Sequence, residues 1–280
     1  LLDEKLVNIK VCDPAIGSGA FPVGMMSEIV KTRNVLSSYI KGKDRTIYNF
    51  KRECIEKSLY GVDIDSGAVE IAKLRLWLSL VVDEEDIKQI KPLPNLDYKI
   101  VCGDSLLGVE KNLFNLSLFS ELERLKPLLF NETIPKKKQE YKKQIDEIIT
   151  QITDGHKDFD FEVYFSEVFH EKKGFDVVIA NPPYLGEKGH KEIFRKVKQG
   201  LLSKFYLGKM DYFYFFFHLS INIAKNNSSI AFITTNYYPT AMGAKKLRQD
   251  FKERGIIKNL MNFNELRIFE SALGQHNMIT

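Results

Sequence analysis

Short apolar runs of β type alternate along this chain with longer stretches whose apolar residues recur at helical spacing. Asn8-Ile-Lys-Val-Cys-Asp13 reads as a buried strand, followed by a Gly-rich turn and a helix from about Phe21 to Tyr39. Ser58 to Asp63 reads as a second strand. The helix after it carries Ala68, Ile71, Leu74, Trp77 and Leu78 on a 3.6-residue period. Tyr98 to Gly103, Phe175 to Ala180 and Ile230 to Thr235 read as the next three strands, Ile256 to Phe263 as a sixth and His276 to Thr280 as a seventh. Strands that alternate with helices imply right-handed βαβ crossovers. The expectation is an α/β fold, a mostly parallel seven-stranded sheet with helices on both faces.

The alternation fails between Leu107 and Lys173. Lys136 to Asp154 reads as a solvated, charged helix and Phe159 to Phe169 as an aromatic patch, together an insertion (about 107–173) between the third and fourth strands. The whole chain, 1–280, is then one domain with an insertion. Twenty Phe and 12 Tyr in 280 residues exclude whole-chain disorder. The longest apolar stretch, Tyr212 to Ala224, carries His218 and Asn222 and is too short to cross a bilayer. Three cysteines (Cys12, Cys54, Cys102) without a C-x-x-C spacing point to a reducing cytoplasm, and no metal-ligand spacing is present. The chain opens LLDEKL, with neither Met nor a leader, and is expected to be a piece of something longer.

Four strands end on a carboxylate or a polar turn, at the sheet edge where open α/β sheets hold ligands. In Asp13-Pro14-Ala15-Ile16-Gly17-Ser18-Gly19-Ala20-Phe21, Gly17 and Gly19 let backbone approach a ligand. The helix beyond them favours an anionic group, and Asp13 can face an ammonium. That pair suits a zwitterionic amino-acid moiety better than a pyrophosphate. In Gly61-Val62-Asp63-Ile64-Asp65, Asp63 can accept from two ribose hydroxyls and Ile64 can face a purine, while Asp65 or Ser66 caps the next helix. In Cys102-Gly103-Asp104-Ser105, Asp104 can accept from an exocyclic amino group and the Ser105 N–H can reach a ring nitrogen, although G-D-S is also ordinary turn chemistry. In Asn181-Pro182-Pro183-Tyr184, the Asn181 side chain and the Pro182 carbonyl offer two acceptors to one planar amino group, and Tyr184 can stack on the ring carrying it.

In this order, D-P-A-x-G-S-G-x-F, G-V-D-I-D, G-D-S and N-P-P-Y resemble the gamma-class adenine-specific DNA N6-methyltransferases. Within that class they are similar to the methylase part of type IIG restriction–modification or phage-exclusion proteins. The resemblance implies a Rossmann-like methyltransferase fold and S-adenosyl-L-methionine as cofactor. Asp13, Pro14, Ala15, Gly17, Gly19, Phe21, Asp63, Ile64, Asp104 and Ser105 would hold that cofactor. It also implies double-stranded DNA as partner and a target adenine flipped out of the duplex. Asn181, Pro182 and Tyr184 would receive the base, with no covalent enzyme intermediate and no metal. Restriction or specificity domains would act alongside, in the same polypeptide or complex, with a target-recognition domain and an N-terminal helical segment outside this chain. Methyl transfer to a release-factor glutamine or to an RNA amino group are the alternatives, since both offer a planar NH₂.

The net charge is only +4, but it is uneven. Gly186 to Met210 holds seven Lys or Arg against Glu187 and Glu192, and Met242 to Lys258 holds six against Asp250 and Glu253. Lys188, Lys191, Arg195, Lys196, Lys198, Lys245, Lys246 and Arg248 are therefore expected to meet DNA phosphates. Residues 185–210 are expected to be mobile without DNA and to close on it.

Overall fold

The computed structural model describes residues 1–40, 42, 44–82, 91–92, 94–108, 116–153, 155, 159–269 and 276–280. A short helix α1 (Leu2–Val7) leads into β1 (Val11–Asp13), α2 (Ala20–Leu36), α3 (Ile47–Lys57), β2 (Leu59–Asp63), α4 (Ser66–Val81) and β3 (Ile100–Cys102). Four helices follow: α5 (Leu116–Asn131), α6 (Pro135–Ile152), α7 (Phe161–Tyr164) and α8 (Ser166–Lys172). Then come β4 (Phe175–Ala180), α9 (Lys191–Gln199), α10 (Phe213–Ile223), β5 (Ala224–Thr235), α11 (Lys245–Arg254), β6 (Met261–Asn262) and β7 (Asn277–Ile279).

The strands form one seven-stranded sheet in the order β3-β2-β1-β4-β5-β7-β6. Pairing is parallel from β3 to β5, and β7 runs antiparallel to both β5 and β6. The expected α/β, mostly parallel architecture is what the chain adopts. Alternation within the strands builds two cores. Val11 and Leu59 face α2, α3 and α4, whereas Cys12, Tyr60, Val178 and Ala180 face the aromatic layer of α8, α9, α10 and α11. Helix α10 is apolar on every side and its residues Phe213 to Ser220 are all buried. Each fully buried Phe there contributes roughly 1.5–3 kcal/mol.

Two helices depart from the sequence reading. In α4 the period was assigned to Ile71, Leu74 and Leu78, yet these are 53%, 51% and 53% exposed, while Val69, Ala72, Leu76 and Leu80 are buried. The helix carries apolar residues on both faces, and its buried side even includes Lys73, so spacing alone cannot choose its inner face. Helix α6 is not simply solvated: Ile145, Ile148, Ile149 and Ile152 are buried against Phe119, Leu122, Leu125 and Leu129 of α5, a third cluster that also takes in Tyr98. Its lysines occupy the outer side. The sixth strand is shorter than the expected Ile256 to Phe263, Met261–Asn262. Among the described residues no helix is long and apolar enough to cross a membrane.

The strand order reverses between β1 and β4, the switch point at which such sheets open a crevice. Asp13 lies opposite Gly61, Asp63 opposite Cys102, and Cys12 opposite Val178. The four polar strand tips therefore leave the sheet along one edge.

Candidate functional site

The turn after β1 is laced to its neighbours by side-chain-to-backbone bonds. Asp13 is 1% exposed, and its Oδ1 accepts from the Ala15 N–H at 3.0 Å. Asp63 Oδ2 accepts from the Gly17 N–H at 2.8 Å and its Oδ1 from the Asp65 N–H at 3.0 Å. Ser105 Oγ donates to the Pro14 carbonyl at 2.7 Å, tying the loop after β3 to the loop after β1. Asp104 Oδ1 accepts from the Leu106 N–H of its own turn at 3.0 Å. Asp65 caps α4 through the Gly67 N–H at 2.8 Å, the capping role expected of it.

Both glycines of the turn need the left-handed region, with φ of +51° at Gly17 and +80° at Gly19. A Cβ on Gly19 would press on Ala72 at 3.0 Å, whereas one on Gly17 would meet nothing within 4 Å. Open space therefore lies above Gly17, and Ile64, just past the tip of β2, is 69% exposed. Burial pushes the Asp13 carboxyl up to about 8, with the Ala15 N–H opposing this in part and the nearby Asp63 adding to it. A buried acid with a single hydrogen bond among the described residues calls for a cationic or proton-donating neighbour.

At the tip of β4, Pro182 is buried and Asn181 is exposed. Tyr184 is half-buried, its ring edge-on to Phe213 at 6.1 Å. The Tyr184 hydroxyl points inward, at 2.5 Å from Asn181 Oδ1 and 3.0 Å from the Ile233 carbonyl. Burial pushes this phenol up, so it stays a neutral donor. Sequence reading treated Tyr184 as a ring alone and missed this hydroxyl contact, which depends on β5 lying beside β4.

Beyond the motif, Gly186 bridges to Asp211, the Tyr212 N–H donates to the Leu185 carbonyl at 2.9 Å and the Glu187 N–H to the Met210 carbonyl at 2.9 Å. These bonds close residues 186–211 into a loop at its neck. Phe194, Val197, Leu202 and Met210 within it are buried in the main core. These four side chains anchor the loop to the core, while Lys188, Lys191, Lys196 and Lys198 face outward. A cleft of about 740 Å³ opens on it, lined by Lys188, Lys191, Arg195, Lys198 and Lys209 with Glu187 and Asp211. Lys196 is exposed on the same helix, α9. Lys209 was not among the expected contacts, although it belongs to the same basic run.

The second basic segment divides. Lys245 is exposed, but Lys246 Nζ donates to the carbonyls of Lys204 (2.6 Å) and Tyr206 (2.9 Å). Arg248 donates to those of Tyr238 (2.8 Å) and Ala241 (2.6 Å). These two cations are engaged by backbone carbonyls of neighbouring segments, which departs from the phosphate role read from charge alone.

The sheet order and the laced strand tips define the Rossmann-like fold of restriction–modification methyltransferases. A nuclease-deletion form of the Type ISP restriction-modification enzyme LlaGI, solved with a DNA substrate mimic, superposes with a TM-score of 0.56 at 16% identity, covering 97% of this chain and 20% of that one. The chain belongs to the Eco57I restriction-modification methylase family, whose model matches residues 57–269. A Methanocaldococcus jannaschii protein described as a candidate type II restriction enzyme and methyltransferase is 26% identical over 93% of this chain and 28% of its own length. The type II restriction enzyme and methyltransferase RM.Eco57I of Escherichia coli is 24% identical over 96% of this chain and 24% of its own. The chain thus spans about a quarter of the length of these relatives.

Proposed function

We propose that residues 1–280 form the catalytic domain of a restriction–modification protein, with α5 to α8 inserted between β3 and β4. It transfers a methyl group from S-adenosylmethionine to the N6 amino group of an adenine flipped out of duplex DNA. The observation that carries this reading is the exit of Asn181-Pro182-Pro183-Tyr184 from β4 along the sheet edge that also holds Asp13 and Asp63.

The residues present fit the cofactor. Buried Asp13 suits the ammonium of the amino-acid moiety, and Phe21 lies in the first turn of the helix that follows. Backbone at Pro14 and Ala15, with the open space over Gly17, leaves room for the rest of that moiety. Asp63 spends two of about four lone-pair sites on backbone N–H groups and keeps the others for ribose hydroxyls. Ile64 offers the purine an apolar face. Asp104 and the Ser105 N–H meet its polar edge. The cofactor supplies an electrophilic methyl on a sulfonium.

The protein's share is positioning and electrostatics. Asn181 Oδ1 and the Pro182 carbonyl accept from the adenine amino group, which draws its nitrogen lone pair out of conjugation and towards the methyl. The half-exposed ring of Tyr184 stacks on the base. Lys188, Lys191, Arg195, Lys196, Lys198 and Lys209 hold phosphates next to the flipped nucleotide, with Lys245 near them.

The test is transfer of tritiated methyl from S-adenosylmethionine to duplex DNA, RNA and a release factor in parallel, followed by mapping of the modified group. Label on adenine N6 in DNA is expected. Label confined to a glutamine amide or to RNA overturns the reading.

A further inference from the structure

The acceptor side of this site has a polar back wall that none of its motifs contains. Thr235 ends β5 and Asn277 begins β7, and the two stand directly opposite each other across the antiparallel pair. They are 7% and 1% exposed, and among the described residues neither Thr235 Oγ1 nor Asn277 Nδ2 has a hydrogen-bond partner. Buried donors without partners are rare in folded proteins, because each has given up water for nothing. Two at one register position leave groups that a change of arrangement can pair. Asn277 lies two positions along β7 from Ile279, the partner of Ile233, whose carbonyl accepts from the Tyr184 hydroxyl, and the Asn277 side chain opposes the upward push of burial on that phenol.

That hydroxyl has one proton and two acceptors, Asn181 Oδ1 at 2.5 Å and the Ile233 carbonyl at 3.0 Å. While it serves Asn181, it takes one of the two lone pairs of the oxygen that the proposed reaction offers to the substrate amino group, and so weakens that acceptor. We propose that Asn277 is a positioning residue for the methyl acceptor. When the amino group arrives, the Tyr184 hydroxyl turns wholly to the Ile233 carbonyl and accepts from Asn277 Nδ2, leaving Asn181 Oδ1 to the substrate.

The exchange conserves hydrogen bonds. Tyr184 gives up one acceptor and gains one donor, and the orphaned amide is satisfied. A donor on the phenol oxygen polarises its O–H and strengthens the bond to the fixed carbonyl, so the ring is held where stacking needs it. The Ile233 carbonyl belongs to β5 and does not move with the motif. This inference rests on the proposed amino-group transfer and adds the residue that makes Asn181 available for it.

Asn277→Leu keeps the approximate volume and removes the donor. Its kcat for methyl transfer to DNA should fall about tenfold, with S-adenosylmethionine affinity unchanged and Tm equal to or above wild type. Removing an unpaired buried amide relieves the fold, whereas a merely structural residue would lower Tm and leave kcat alone. In a Tyr184→Phe background the same substitution should have no further effect on kcat. Asn277→Asp, which keeps shape and replaces the donor by an acceptor, should behave like Asn277→Leu in kcat. A folded Asn277 variant with kcat within twofold of wild type, or additive effects with Tyr184→Phe, overturns the proposal. A wild-type chain that labels no DNA overturns the amino-transfer reading beneath it instead.

Discussion

Asp13→Asn should stabilise the cofactor-free protein at neutral pH while damaging its cofactor site. Asp13 is 1% exposed, has one hydrogen bond among the described residues, from the Ala15 N–H, and is held at about 8 instead of its ordinary 3.8 by burial and by Asp63. Its folded pKa is raised, so the unfolded chain ionises first. The stability that the protonated form contributes is complete below about pH 4 and is lost as pH rises towards 8. Linkage sets the ceiling of that loss at roughly 4 kcal/mol at pH 7, against roughly 0.5 kcal/mol at pH 4. Asparagine keeps the oxygen that accepts from Ala15 and cannot ionise, so the variant should escape the loss.

Urea unfolding of both proteins at pH 4.5, 6 and 7.5 measures the gap directly. The gap should open with pH and exceed about 1 kcal/mol by pH 7.5, the size of a substantial single-site effect. A variant less stable than wild type at pH 7.5, or a gap that does not change with pH, would refute the reasoning. Calorimetry adds the functional half. If an ammonium settles against Asp13, wild type should release a proton on binding S-adenosylmethionine at pH 7, seen as a binding heat that differs between phosphate and Tris buffers. The variant should bind at least tenfold more weakly, without that buffer dependence.

Asn181→Ala should abolish methyl transfer while leaving cofactor affinity nearly unchanged, because the side chain is exposed at the acceptor side and bonds only to Tyr184 among the described contacts. Equilibrium binding of S-adenosylmethionine beside a transfer assay checks it, and a large loss of binding would reverse the roles. Lys191→Glu with Arg195→Glu should weaken DNA binding and make the salt slope shallower by about one unit per phosphate contact removed. Lys246→Ala should instead lower Tm with little change of slope, since its ammonium already serves the Lys204 and Tyr206 carbonyls. Titrations against salt separate the two outcomes.

The strand tips were legible in the sequence because two independent signals coincide there. An apolar run short enough for a strand ends on a carboxylate or an Asn-Pro, and the β4 bounds, Phe175–Ala180, match the reading to the residue. Where only one signal exists, it misled. Spacing in α4 selected the outer face because apolar residues occur on both faces and the inner one also holds Lys73. Charge in α6 hid an isoleucine stripe at 145, 148, 149 and 152 that has the right period to pack on α5. Charge around Lys246 and Arg248 pointed to phosphate, although each side chain is consumed by carbonyls at the ends of nearby segments.

The back wall of the acceptor side shows a deeper reason for the limits of sequence reading. Tyr184, Ile233, Thr235 and Asn277 come together only because β5 lies between β4 and the reversed β7. A motif records residues that must be neighbours in the chain. The exchange proposed for Tyr184 depends on register instead. Sliding β7 by one residue along β5 would put Met278 opposite Thr235 and turn the Asn277 amide to the other face of the sheet. The buried Met278, packed in the main core on the opposite side of that strand, therefore holds Asn277 at the hydroxyl. The apolar packing of β7 and the polar chemistry of the acceptor are set by the same alternation.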